Sequence, residues 1–333
     1  MTDLIVEQPG AFVGLRSRRL RVTTESEPPC EHAILNLERV LIVGRGVGIS
    51  SDAIRACAAD DVPIIFLDDR GALYARVVGQ ELMGTARTRR AQIAAAASLR
   101  GAAYARALVV GALHNRAAFL KYATKNHRDE RYARARDAIA DLEECATAAA
   151  QVDAADAPSI ATPLMALEAR GARAYWPVFG TLLRGVEWPG RVAPDAEDLP
   201  NALLNYGYGV LEAEIERAIA LAGLDPYAGF LHADRPGRVS LVYDAMEEFR
   251  QTAVDRVVLG LLNRDRPLNA IEGRLDPSSR RTLAQAIRER LETPVRVGRD
   301  RRRLRVVIQE QVREAAAFFR GERGAYRPYP DQW

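Results

Sequence analysis

Residues 40–69, VLIVGRGVGISSDAIRACAADDVPIIFLDD, read as strand, glycine-rich turn, helix, strand and acid, and how that unit is completed decides the fold. The layout is that of a dinucleotide-binding unit, with Asp68 where a ribose ligand would fall. Two features argue against it. Gly44, Gly46 and Gly48 give GxGxG, with Ile49 where the third glycine is wanted. The rest of the chain also offers no further strand–helix alternation to extend such a sheet. The reading taken is therefore two strands and a short helix, Ser51 to about Ala59, joined by a tight turn.

Working outward, AFVGLRSRRLRVTT (11–24), broken by glycine and charge, and the alternating ALYARVVG (72–79) complete a β-rich segment. After Gly79 the texture changes. From ELMGTARTRRAQIAAAASLRGAAYARALVVGAL (81–113) to the C-terminus the pattern is helical and rich in Ala, Arg, Leu and Glu. DAADAPS (153–159) and RGVEWPGRVAPDAEDLP (184–200) separate helices as loops. The expected class is α+β: a small N-terminal β-rich domain, residues 1–84, then a larger all-α C-terminal domain, residues 85–333.

At 48% hydrophobic and 27% charged, the 333-residue chain has the composition of a soluble globular protein able to bury two cores. No apolar run of about 18 residues appears, so no membrane partner is expected. The start, MTDLIVEQPG, lacks a secretory pattern. Cys30, Cys57 and Cys145 are widely spaced, which predicts free thiols in a reducing cytoplasm. The net charge of +3 excludes little, but its distribution is uneven. Residues 281–305 hold nine arginines against three acids, and residues 84–106 hold five arginines and no acid. Lysine occurs only at 121 and 125. Codon bias with solvated helix faces explains such clusters; so does a surface for phosphate oxygens, for which arginine is the better fork.

One acid sits on an apolar stripe. Leu164, Ala172, Tyr175, Phe179 and Leu182 fall within about 80° of one another at 100° per residue, one face of a helix, and Glu168 lies inside that arc. A carboxylate there needs a cation, either an arginine or a metal. A second helix is predicted from GFLHADRPGRVSLVYDAMEEFR (229–250) onward, capped by Ser240, with Val242, Met246, Phe249, Ala253 and Val257 as its buried stripe. Glu247 lies on its flank, Asp244 three residues earlier, and Glu248 and Asp255 further round read as a solvated face. Between the two acidic helices a third runs from about Pro200 to Gly223, and the chain turns through Gly229 into His232. A histidine after such a turn is structural unless carboxylates join it. With Glu168 and Glu247 it makes a Glu–His–Glu set. Imidazole and carboxylates without thiolate suit Mn²⁺ or Mg²⁺ acting on phosphates.

EARGARAYW around Glu168, NALLNYGYGVL (201–211), GLDPYAGFLH (223–232) and SLVYDAMEEFR (240–250) closely resemble the CRISPR-associated integrase family, the first of the numbered Cas proteins and the catalytic subunit of spacer acquisition. The ending IQEQVREAAAFFRGERGAYRPYPDQW (308–333) is similar to that family's C-terminus. The resemblance implies a β domain that pairs chains into a homodimer, and a helical catalytic domain whose metal ligands are Glu168, His232 and Glu247. Asp244 matches a nearby acid of the same motif and is expected to orient a ligand. GALHNRAAFL (111–120) departs from the family, where a Lys and an Asn-Gln pair are common, and only Asn115 remains.

The expected function is a metal-dependent DNA endonuclease and integrase. A fragment's 3′-hydroxyl attacks a phosphodiester at the border of a CRISPR repeat. Arg87, Arg89, Arg90, Arg173, Arg301, Arg302 and Arg303 are candidates for the DNA backbone. Expected partners are double-stranded DNA fragments, repeat DNA and a small ferredoxin-like companion subunit. A stand-alone DNase using water, and a catalytically silent DNA-binding scaffold, are the alternatives. The glycine pattern generates a first prediction: titration with NAD or NADP gives no calorimetric signal, and saturable micromolar binding would revive the dinucleotide fold.

Overall fold

The computed structural model describes residues 2–60, 62–77, 86–186, 188–193, 196–232, 235–264 and 267–331. The expected domain boundary at residues 84 and 85 falls outside the described residues. The N-terminal part holds β1 (Thr2–Val6), β2 (Phe12–Arg16), β3 (Arg19–Thr23), β4 (Cys30–Ala33), β5 (Leu37–Val43), β6 (Gly48–Ile49), α1 (Ser51–Ala59), β7 (Ile64–Leu67) and β8 (Leu73–Val77). One sheet has the order β1-β5-β7-β8, with β1, β5 and β7 parallel and β8 antiparallel. The other has the order β4-β3-β2-β6, and β2 and β3 form a hairpin with Ser17 and Arg18 in the left-handed region.

The continuous apolar runs of β5 and β7 have a plain cause. Successive strand residues face opposite sides, and here both sides are covered. Val40, Ile42 and Ile64 pack into a small core with Val13, Leu20, Ala53 and Cys57 of the second sheet and α1, while Leu41, Val43, Ile65 and Leu67 pack onto the helices. β5, α1 and β7 thus form a parallel strand–helix–strand unit, as first read, but Asp68 is spent on its turn. Its Oδ1 accepts the backbone N–H of Arg70 (2.9 Å) and of Ala72 (2.8 Å).

The second part is helical: α2 (Ala86–Ala96), α3 (Leu99–Thr124), α4 (Glu130–Gln151), α5 (Ala157–Thr181), α6 (Leu199–Ala222), α7 (Ser240–Met246), α8 (Arg256–Leu262), α9 (Pro277–Glu292) and α10 (Leu304–Phe319). α3, α4 and α5 pack together, and α6 lies against α7, α8, α9 and α10. Asp198 caps α6 by accepting the Asn201 N–H, and Gly223 ends it with φ of 75°. The α+β class holds. Two short ribbons add strands within the helical part: β9 (Ala270–Ile271) with β10 (Arg274–Leu275), and β11 (Pro294–Val297) with β12 (Asp300–Arg303). The arginine run at 301–303 therefore lies on an exposed strand, because Gly298 turns the chain back and PVRV alternates. No single helix among the described residues is long and apolar enough to cross a membrane. The three cysteines are free.

The two parts are joined by buried charge. Arg39 on β5 is 1% exposed and pairs with Asp3 of β1 (3.1 Å) and Glu214 of α6 (3.0 Å). Arg288 of α9 also reaches Asp3 (3.2 Å), and Arg305 of α10 pairs with Glu38 and Glu214. Burial alone would lower the Arg39 pKa, but Asp3 and Glu214 outweigh it and raise it. Arg39→Met should lower the unfolding free energy by about 3–5 kcal/mol in denaturant titration, since it strands buried carboxylates. A loss under about 1 kcal/mol would mean that Arg288 and Arg305 suffice to pair them.

Candidate active site

The predicted stripe of α5 is buried at Leu164, Tyr175, Phe179 and Leu182, with Ala172 half-buried. Glu168 lies on this helix with its side chain 27% exposed. Its cation is Arg116 of α3, whose Nη2 donates to Glu168 Oε1 and whose Nη1 donates to the Glu168 carbonyl (3.2 Å). The approach of the helices depends on Gly171, where a Cβ would stand 2.3 Å from Leu113 Cδ2. Arg116 Nη2 also reaches Glu247 Oε2 (3.3 Å), and Arg250 forms an ion pair with Glu247, Nε to Oε1 2.8 Å. The order is acid, base, acid, base across three helical segments. Burial would push the Glu247 carboxyl up, but Arg250 and Arg116, with His232, outweigh it and hold it below its ordinary value.

His232 follows a backbone turn clamped by Asp244. The fully buried Asp244 carboxylate accepts the N–H groups of Phe230 (2.6 Å), Leu231 (3.1 Å) and His232 (3.1 Å), and it bonds His232 Nδ1 at 2.6 Å. A side chain at 229 would press on Ser240 and on Asp244 Oδ2, so glycine is required there. With Nδ1 engaged, Nε2 is the ring nitrogen left for a ligand.

Three details differ from expectation. Ser240 opens α7 instead of capping it; Val239 holds the cap position and offers no side-chain bond. A π-helical turn at Gln251–Asp255 inserts one residue into the stripe, so Val258, not Val257, is fully buried after Ala253. Glu248 and Asp255, read as solvated, are buried. Glu248 accepts Tyr326 Oη–H, the Tyr329 N–H (2.6 Å) and Gln311 Nε2 (3.1 Å), because the C-terminal segment covers that face. Asp255 accepts the hydroxyls of Tyr175 (2.8 Å) and Tyr208.

His232 and Arg250 open onto a cleft of about 900 Å³ between the Asp68–Ala72 turn and helices α6 and α7. Its walls carry Arg70, Arg191, Arg235 and Arg238 beside Arg250. The Tyr208 ring is near two guanidiniums, those of Arg191 (5.5 Å) and Arg250 (4.7 Å) from its centroid. None of the arginines singled out in the sequence lines this cleft. Arg87 pairs with Glu322, Arg302 with Glu310 and Asp300, and Arg303 with Glu292. Arg89 is half-buried, while Arg90, Arg173 and Arg301 are exposed elsewhere. The sequence reading missed Arg116, although it sits on the α3 stripe of Val109, Leu113 and Leu120 by the same spacing that exposed Glu168. The wall arginines carried no such signal, being a few among 47 basic residues.

The family described as CRISPR associated protein Cas1 matches residues 4–289. The chain belongs to the Cas1 family. A relative from Archaeoglobus fulgidus named CRISPR-associated endonuclease Cas1 1 is 32% identical over 99% of both chains. A casposase bound to integration product has the same fold, with a TM-score of 0.83 and 23% identity over 100% of this chain and 95% of that one. A Cas6-RT-Cas1–Cas2 complex matches with a TM-score of 0.81 and 16% identity over 100% of this chain and 36% of the longer one. This Cas1 chain thus shares that fold throughout, with the acid–arginine array among α3, α5 and the α7 end and the arginine-walled cleft between its two parts.

On the cleft wall, Glu212 is pushed up to about 7 by burial and by Glu216, against a weak bond from the Tyr243 hydroxyl (3.4 Å). The folded chain therefore keeps this proton to higher pH than the unfolded one. Its contribution to stability is complete below about pH 4.5 and is lost as pH rises through about 7. Glu212→Gln should melt level with the wild type near pH 5 and above it near pH 8. An unchanged gap across that range would mean that the carboxyl is solvated.

Proposed function

We propose that this Cas1 chain is a metal-dependent DNA endonuclease and integrase that inserts short DNA fragments as new spacers into a CRISPR array. The observation that supports the reading is the meeting of Glu168 and Glu247 at Arg116, with Glu247 paired to Arg250 and with Arg250 and the Asp244-clamped His232 on a cleft walled by arginines. Two carboxylates and an imidazole with Nε2 available form a donor set that fits Mg²⁺ or Mn²⁺. Among the described residues, no three such side chains stand together as a ligand cluster, and the two glutamates meet at Arg116. Glu168, His232 and Glu247 would hold the ion, which when bound supplies acidity to the attacking hydroxyl and charge neutralisation at the phosphorane-like transition state.

The rest is the work of the chain itself. Asp244 fixes the ring of His232 through Nδ1 and so aims Nε2. Arg250 ties Glu247 to the cleft and, with Arg191, Arg235 and Arg238, presents positive charge to phosphate oxygens without reading sequence. The Tyr208 ring offers both guanidiniums a cation–π contact. The exposed arginines at 87, 90, 173 and 301 extend the backbone-binding surface in this reading. The casposase of the same fold, which is bound to an integration product, favours joining over plain hydrolysis. The Cas6-RT-Cas1–Cas2 complex of the same fold supports a companion subunit, and pairing of β-rich parts would make a homodimer.

The test measures fragment binding, water-driven nicking and 3′-hydroxyl joining side by side, with Mn²⁺ and with chelator. Glu168→Gln and Glu247→Gln should lose nicking and joining together while keeping DNA affinity, and chelator should do the same to the wild type. Asp244→Asn should lose about 10- to 100-fold, the usual range for an orienting partner. A Glu247→Gln protein that joins ends at the wild-type rate sinks the site. A wild type that nicks but never joins, even with an array plasmid and a companion subunit, favours the plain nuclease.

A further inference from the structure

Glu168 and Glu247 sit on different helical segments, yet both end on one guanidinium. Arg116 Nη2 lies between Glu168 Oε1 and Glu247 Oε2, and its Nη1 is fixed to the Glu168 carbonyl. The Arg116 side chain is only 6% exposed, and α3 and α5 pack at a glycine, so the group is built in and does not drift at a surface. A divalent ion shared by those two carboxylates would compete with the guanidinium that now stands between Glu168 Oε1 and Glu247 Oε2. Guanidinium and metal are therefore alternatives at the same acids.

We propose that Arg116 is the resident counter-cation of this site: it holds Glu168 and Glu247 together in the metal-free protein, and an entering divalent ion takes over its contacts with them. The proposal rests on the metal-site reading above. It explains how two carboxylates can be gathered in a protein without a metal, since like charges brought together would otherwise repel. It also makes metal entry an exchange, so that binding is weaker than the donor set alone would give.

The experiment uses Mn²⁺ alone, titrated calorimetrically into the metal-free full-length protein, with thermal melting in chelator and in Mn²⁺. Arg116→Gln should bind Mn²⁺ about tenfold more tightly than the wild type, a difference of about 1.4 kcal/mol. The same variant should melt lower in chelator and gain more from Mn²⁺. Binding at wild-type affinity or weaker overturns the proposal. Should Arg116→Gln not fold, Arg116→Lys keeps the charge but loses the second nitrogen, and its affinity should still exceed that of the wild type; equality or less again overturns the proposal. Glu168→Gln separates the two levels. Wild-type binding that Glu168→Gln removes, but that neither Arg116 variant strengthens, leaves the metal site standing and discards the counter-cation. No Glu168-dependent binding in any of these proteins overturns the metal site and the counter-cation together.

Discussion

A guanidinium at residue 39, sealed from water, holds the β-rich part against the helices. A buried charge is stable only with its partners in place, and the partners of Arg39 come from β1 and α6, with α9 and α10 bracing the same acids. Sliding either part would strand several charges at once. The cleft depends on that constraint, because one wall is the Asp68–Ala72 turn after β7 and the other is built from α6 and α7. An apolar interface alone would tolerate small shifts; directional ion pairs do not.

Among the helices beside the cleft the same principle repeats at shorter range. Glu168, Arg116, Glu247 and Arg250 alternate in sign, so each buried charge faces an opposite one. Glu247 stays ionised although buried, because the two guanidiniums beside it outweigh desolvation. A carboxylate held ionised in this way binds a cation without first releasing a proton. Asp244 belongs to a different device. Its oxygens are filled by three N–H groups and an imidazole, which makes it an anchor for the His232 turn.

What was legible in the sequence follows from the same physics. Glu168 stood out because a carboxylate on an apolar stripe is anomalous, and the helix boundaries at Ser51–Ala59 and Gly223 followed from caps and turns. Arg116 is the same anomaly with the opposite sign, hidden in a chain where arginine is common. The burial of Glu248 and Asp255 was not legible, because it depends on the C-terminal segment and on tyrosines from α5 and α6 meeting one face of α7 and the π turn. The π turn itself has no composition signature in QTAVD, so the register after Ala253 was read one residue short. The β11–β12 hairpin was masked by arginines that suit helix and exposed strand alike.

The C-terminal segment ties these observations together. Asn115 donates through Nδ2 to the carbonyls of Glu248 (2.9 Å) and Tyr329 (2.9 Å), and its Oδ1 accepts the Asp331 N–H (2.8 Å). Glu248 grips the same segment at Tyr326 and Tyr329, and Phe249 stacks on Tyr329 at 5.3 Å. Each clamp is the immediate neighbour of a site residue, Asn115 beside Arg116 and Glu248 beside Glu247. Adjacent residues on a helix point about 100° apart, so one face of each helix is locked to the tail while the next presents its charge inward. The tail fixes the rotation of α3 and of the α7–π segment, and that rotation decides whether Arg116 and Glu247 meet.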